Sequence, residues 1–357
     1  MTQTFSRTDR LLLAGAVVLV GGAALTRYVD INSVLAFVLS GLTIAALASL
    51  VGRSVDQLGD RLGAGATGVL QSALGNLPEL FVCIFALRAG LTKVVEAAVI
   101  GSILGNVLLV LGLAFIVGGL RNGVQRFDSE RARVITAMML LAVIAMLLPS
   151  LAFQLHTPAA SHERGLSVFA AIVLLLVFIC SVPSSIRRTA DEPDGDQDHA
   201  GAQGGWPLPL AVGMLAVTGV LAAFVSDWFI HALEPAIASL HISQAFAGLV
   251  IVAIAGNAVE NVVGIQLAAR NQADYALSVI LNSPLQIALV LAPLLVLLSF
   301  VVGGAAFVLV FPPLLIATVV AAVLAVSFII IDGESVWLEG AALVGLYGVI
   351  AAAFWWG

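Results

Sequence analysis

Two short stretches, GNLPELF at Gly75 to Phe81 and GNAVENV at Gly256 to Val262, place an Asn and a Glu three residues apart inside long apolar runs. Residues three apart share a helical face, so Asn76 with Glu79, and Asn257 with Glu260, each present a carboxylate beside an amide oxygen. A carboxylate at the centre of a lipid-crossing helix costs about 2.5–3.5 kcal/mol even on a lenient scale, and two at matching places call for a function. Gly75 and Gly256 permit close approach or local unwinding, and Pro78, lacking an N–H, frees the carbonyl of Leu74. The next apolar run in each case, GSILGNVLLVLG from Gly101 and NSPLQIALVLAP from Asn282, adds oxygens from Ser102, Asn106, Asn282, Ser283 and Gln286, and Pro284 frees the carbonyl of Ile280. For any single Ser or Asn here, interhelical hydrogen bonding is the competing role.

Carboxylates with amide, hydroxyl and carbonyl oxygens suit a hard cation; Ca²⁺ takes 6–8 such ligands, whereas soft metals want His or Cys. With the cation gone, two nearby carboxylates in a low dielectric cannot both stay ionised and take up protons instead. Cation and protons then exclude one another, which is the chemical basis of antiport.

The elements that must position these groups are membrane helices. The 357 residues are 61% hydrophobic and 10% charged, with mean hydropathy +1.11, against about 25% charged in soluble domains. Apolar runs long enough to cross about 30 Å of hydrocarbon recur throughout, without the alternation of a membrane β-barrel. They predict an all-α polytopic membrane protein of about eleven spans, near 10–28, 33–51, 64–88, 94–119, 133–153, 165–182, 207–226, 243–269, 274–299, 304–331 and 335–356. The first is read as a retained helix, since GGAALTRY makes a poor cleavage site. With the N-terminus in the cytoplasm, eleven of the 15 basic residues lie inside, and the C-terminus lies outside. Short loops and Ala/Val-rich spans point to a bacterial inner membrane. Cys83 and Cys180 fall in separate spans and suggest neither a disulfide nor a thiolate metal site.

An offset of 181 residues superimposes Gly75 on Gly256, Asn76 on Asn257, Glu79 on Glu260 and Ser102 on Ser283. The chain thus divides into an N-terminal helix (1–30), a first five-helix repeat (31–183), an acidic cytoplasmic linker (184–206) and a second five-helix repeat (207–357). The two Glu-bearing helices are the third and eighth, five spans apart, so they cross in opposite directions; inverted repeats of this kind mark transporters with a mid-membrane site. Asp227, His231 and Glu234 fall in the loop expected after the seventh span, where Asp227 and Glu234 could form a cation-access vestibule or a solvated loop. Glu96, beside Lys93, reads as interfacial.

GNLPELFV followed 26 residues later by GSILGNVLLVLG, and GNAVENV followed 26 residues later by NSPLQIALVLAP, resemble the paired repeats of the calcium/proton exchangers (CAX) of the cation/calcium exchanger superfamily. ALEPAIASLHISQAFAGLVIVAIAGNAVE and DGESVWLEG add to the likeness, which runs from the second span to the C-terminus. Asn282, Ser283 and Pro284 stand where that family usually has Gly-Ser-Ser. The resemblance implies exchange of Ca²⁺ for H⁺ by alternating access. It implies Glu79 and Glu260 as central carboxylates, with Asn76, Asn257, Ser102, Ser283 and Gln286 around them, Ca²⁺ as substrate and no organic cofactor. The lipid bilayer is the expected partner, nucleic acid is not, and the oligomeric state is left open. A Na⁺/H⁺ or Na⁺/Ca²⁺ exchanger of the same superfamily remains an alternative, as do, from other classes, a cation channel and an intramembrane acid–base enzyme.

Overall fold

The computed structural model describes residues 5–29, 32–62, 74–191 and 206–356, with the side chains of 59–62, 182–191, 259 and 260 also outside the description. The helices, in order, are α1 (Arg7–Tyr28), α2 (Ser33–Leu62), α3 (Leu77–Arg88), α4 (Thr92–Asn122), α5 (Ser129–Gln154), α6 (Glu163–Asp191), α7 (Leu208–Leu240), α8 (Gln244–Gly256), α9 (Ala258–Ala269), α10 (Ala273–Val302), α11 (Pro313–Ile329) and α12 (Trp337–Trp355). Among the described residues nine helices are long and apolar enough to cross a membrane, and the bent pair Gln244–Gly256 and Asn261–Ala269 makes a tenth if taken as one span. The third expected span, near 64–88, lies partly outside the described residues, and α3 is the part of it that is seen. Most of the linker lies outside them as well.

Packing divides the chain into two compact units, Met1–Phe85 with Leu176–Leu240 and Ala86–Leu175 with His241–Gly357. Each unit therefore draws helices from both sequence halves. In the first, α2 and α7, the leading helices of the two repeats, lie against each other: Phe37 stacks on Phe229 at 4.8 Å, and Gly41 lets the Phe229 ring approach. Trp206, just ahead of α7, is buried against Leu58 and Phe5, and its backbone N–H donates to Gln57 Oε1 at 2.7 Å. Ser6 caps α1 reciprocally with Asp9, whose carboxylate also holds Arg53 of α2 at 2.9 Å.

The second unit holds three stretches of π-helix, at Gly105–Val110 in α4, Ala247–Val252 in α8 and Ile287–Leu291 in α10. The first and last fall at equivalent places once the 181-residue offset is applied, so the repeat is written in the backbone as well as the side chains. A π-turn is rare and recurs at functional sites, where it re-aims side chains. A two-stranded antiparallel ladder pairs Gln125–Arg126 with Glu334–Ser335, and Arg126 bridges Glu334 at 3.0 Å.

One expected helix is corrected. The run near 304–331 is apolar throughout, yet helix begins only at Pro313. Gly303 and Gly304 take φ of +79° and +99°, and Phe307, Leu309 and Phe311 are buried in irregular, non-helical chain. Hydropathy does not separate helix from buried irregular backbone; serines on three helices satisfy this one. Ser150 Oγ donates to the Leu309 carbonyl at 2.8 Å and accepts from Phe311 N–H at 2.9 Å. Ser167 accepts from Leu309 N–H and Ser299 from Phe307 N–H, both at 3.0 Å. Non-helical backbone at membrane depth persists where protein satisfies it. Ser150→Ala strands two buried backbone groups at about 1–3 kcal/mol each, and a clearly lower thermal unfolding midpoint in detergent is expected; an unchanged midpoint would refute the assignment.

A second correction concerns α7. It continues without interruption to Leu240, so Asp227, His231 and Glu234 stand on an exposed helical face rather than in a loop. At about 1.5 Å per residue the helix is some 50 Å long, beyond the ~30 Å hydrocarbon thickness, so tilt or overhang takes up the excess. Cys83 is buried and Cys180 exposed; Glu96 is half-buried in α4.

Candidate cation site

Three of the polar residues singled out in the second unit, Ser102, Asn106 and Ser283, converge on Asn257. α8 ends at Gly256 and α9 starts at Ala258, leaving Asn257 at φ −104°, ψ 19° in the break, with a 63° bend between the flanking helices. Its amide Nδ2 donates to Ser102 Oγ of α4 at 3.1 Å and to the Ala253 carbonyl at 2.9 Å. Its Oδ1 accepts from Ser283 Oγ of α10 at 3.2 Å and from Asn106 Nδ2 at 3.4 Å. Both donors and both lone pairs of the Asn257 amide are in use, so its orientation is locked by three helices. Ser102, Asn106, Asn257 and Ser283 are all buried.

Asn106 sits within the first π-turn and also donates to the Ser102 carbonyl at 2.9 Å. Its Oδ1 is buried with no hydrogen-bond partner among the described residues, and the same holds for Asn261 Oδ1. An orphaned buried acceptor costs about 1–3 kcal/mol, and oxygens left open beside a locked polar cluster are what a bound cation would use. The cluster is reached because α4 and α8 cross at backbone contact: Gly101 meets Leu249 and Gly248 meets Val94 and Ala97.

Asn282 and Gln286 lie on α10, both half-buried; Asn282 donates to Ser278 Oγ at 3.2 Å rather than into the Asn257 cluster. In the other compact unit, Gly75 and Asn76 form a turn and α3 starts at Leu77. Glu79 is fully buried and Asn76 nearly so. Glu79 and Glu260 are each the third residue of a helix, α3 and α9, whose starts coincide under the repeat offset. The positive end of the helix dipole favours a carboxylate at such a place. The side chain of Glu260 lies outside the described residues.

The shared-face argument for the Asn–Glu pairs is corrected here. Asn76 and Asn257 stand in the turn before the helix, and only the Glu of each pair is helical. Asn257 supplies the non-helical dihedrals between α8, which ends at Gly256, and α9, while Gly75 and Asn76 form the turn ahead of α3. Pro78 occupies the second position of α3, where its missing N–H leaves no bond unmade. Asn261 and Ser278 were passed over in the sequence; the signal was there, four residues after Asn257 and four before Asn282.

Residues 32–186 and 210–356 match the sodium/calcium exchanger protein family. The chain belongs to that family. It is 35% identical over 337 residues to a Ca²⁺/H⁺ antiporter of Synechocystis sp., covering 89% of this chain and 90% of that protein. It is 33% identical to the Ca²⁺/H⁺ antiporter ChaA of Bacillus subtilis, covering 90% and 92% of the two chains. The solved structure of native YfkE superimposes with a TM-score of 0.80 at 32% identity, over 97% of this chain and 98% of that one. The resemblance to the calcium/proton exchangers therefore holds. This exchanger is an all-α, multi-pass membrane protein, a transporter and not an enzyme, which sets aside the intramembrane acid–base chemistry.

Within the Asn257 cluster, Asn257→Leu removes four hydrogen bonds and leaves Ser102, Ser283 and Asn106 without that partner. We expect cation affinity in transport assays to fall about tenfold or more, from loss of about 1.4 kcal/mol or more of organisation. Asn257→Asp, which keeps the acceptors, should lose less; equal losses in the two variants would argue that packing alone is at stake.

Proposed function

We propose that this exchanger moves Ca²⁺ against H⁺ by alternating access, with Glu79 and Glu260 as the carboxylates that hold either the cation or protons. The observation that carries the proposal is the matched pair of mid-chain helix starts, each placing a Glu as third residue after a Gly-Asn turn. Asn76 and Asn257 supply amide oxygens, Asn257 by giving up a hydrogen bond from Ser283 or Asn106 in favour of the cation; Gly75 and Gly256 flank the two breaks, and Ser102, Asn106, Ser283, Asn282 and Gln286 form the surrounding polar shell. The names of the similar Synechocystis and Bacillus proteins support Ca²⁺ and H⁺ as the exchanged ions. Two inverted five-helix repeats, residues 31–183 and 207–357, carry the two carboxylates; the shared π-turn and helix-start positions support that division. The excess of Arg in loops assigned to one side supports a cytoplasmic N-terminus and an external C-terminus, and short loops with Ala/Val-rich spans support a bacterial inner membrane.

Two protons replacing one divalent ion leave the site's charge unchanged, so the exchange is electroneutral. Purified protein in proteoliposomes under a pH gradient should take up Ca²⁺ while internal pH moves the opposite way, at a rate insensitive to a clamped membrane potential. Proton movement driven by Na⁺ and not by Ca²⁺ would transfer the site to the Na⁺-exchanging alternative. Ca²⁺ flux without proton flux would favour a channel.

A further inference from the structure

α10 carries polar residues at Asp274, Ser278, Asn282 and Gln286, successive i, i+4 positions that form one stripe along the helix. A cleft opens at the start of the stripe, lined by Asp128, Arg131, Asp274, Ser278 and Leu281 among others. Asp128, Arg131 and Asp274 are exposed, Ser278 and Asn282 half-buried, and Ser283, which joins Asn257, is buried. The polar groups are linked stepwise. Asp274 Oδ1 accepts from Asp128 N–H at 2.6 Å, and Asp128 caps α5 by accepting from the Glu130 and Arg131 N–H groups. Arg131 Nη2 reaches Ser278 Oγ at 3.5 Å, and Asn282 Nδ2 donates to the same oxygen at 3.2 Å.

The dimensions fit a route. At 1.5 Å per residue, Asn282 lies about 12 Å and Gln286 about 18 Å along the helix from Asp274, and the mid-plane of ~30 Å of hydrocarbon is about 15 Å from its edge. Glue between helices would not need to begin in an open cleft with two carboxylates and finish beside the Asn257 cluster.

We propose that this stripe is the access path for a divalent cation from one membrane face, with Asp128 and Asp274 as its mouth and Arg131 as the side chain that bars it. The two mouth carboxylates draw in the hydrated cation, the Ser278 hydroxyl and Asn282 amide oxygen replace its water on the way down, and Arg131 holds Ser278 until it swings aside. The face is the cytoplasmic one if the orientation proposed above holds, and the identity of the cargo rests on the proposed function.

The test is cysteine accessibility in a Cys83→Ala, Cys180→Ser background of verified transport, using a membrane-impermeant cationic thiosulfonate on oriented vesicles. Ser278→Cys and Asn282→Cys should react from one face only, and Ca²⁺ should slow them. Ala276→Cys, on the opposite face of α10 and buried, should not react. Adding Arg131→Gln should speed labelling of Ser278→Cys about tenfold, the scale on which a minor open state becomes a major one. Labelling of Ser278→Cys and Asn282→Cys no faster than Ala276→Cys would overturn the path, and an unchanged rate with Arg131→Gln would overturn the bar. One-sided labelling slowed by another cation and not by Ca²⁺ would support the path while removing the Ca²⁺ assignment.

Discussion

Glu79→Gln and Glu260→Gln should each lower Ca²⁺-dependent proton flux by about 30-fold or more, since losing one charged partner in a desolvated site costs about 2–5 kcal/mol. Gln keeps the shape and one oxygen and removes both the charge that holds the cation and the group that takes its proton. A loss of flux with a normal elution profile in detergent would place both carboxylates in the exchange cycle. The two variants should be about equally impaired, because the repeat puts each Glu at the same point of an equivalent helix start. Wild-type flux in either variant would remove that residue from the cycle and with it the paired-carboxylate mechanism. Glu→Asp at either site keeps charge and titration while shortening the reach, so the apparent Ca²⁺ affinity should suffer more than the maximal rate.

Gly101→Ala is expected to be nearly as damaging by a wholly steric route. A Cβ there would stand 2.5 Å from the Leu249 Cα and closer still to the Leu249 carbonyl oxygen, where carbon atoms sit comfortably only at about 3.5–4.0 Å. Backbone cannot rotate out of the way as a side chain can, so α4 and α8 must part by roughly 1 Å, with overpacking costs of about 1–3 kcal/mol or more. Gly248→Ala repeats the collision from the other helix, against the Val94 carbonyl and 2.9 Å from the Ala97 Cβ. Any protein that still folds carries Ser102 displaced from Asn257, whose 3.1 Å bond spans this crossing. Thermal denaturation in detergent and proteoliposome flux should both fall. Gly213→Ala, with open space around its Cβ position, should leave both unchanged. Equal behaviour of Gly101→Ala and Gly213→Ala would show that the crossing tolerates separation and is not what aligns the cluster.

Much of this protein was legible in one dimension. Apolar runs of spanning length marked its helices, and the 181-residue offset paired Asn76 with Asn257, Glu79 with Glu260 and Ser102 with Ser283. Those features depend on local composition and on duplication, which a sequence carries explicitly. The polar groups worth watching could be named because ionisable and amide side chains in lipid are too costly to keep without a use.

Other features depended on partners far away along the chain. Residues 304–312 read as the start of a helix and are irregular chain, because Ser150, Ser167 and Ser299 satisfy a backbone that hydropathy alone would have coiled. Asn257 reads as the helical neighbour of Glu260 and is instead the break, held by Ser102, Asn106 and Ser283 from 26 to 155 positions away. Asp227 and Glu234 read as loop and stand on a helix that outruns the bilayer. By itself the sequence determined which segments enter the membrane and which residue types go with them, since burial in lipid selects composition residue by residue. Only the tertiary structure decided where helices break and which polar atoms meet, since a buried hydrogen bond is set by the position of its partner and no local preference records that.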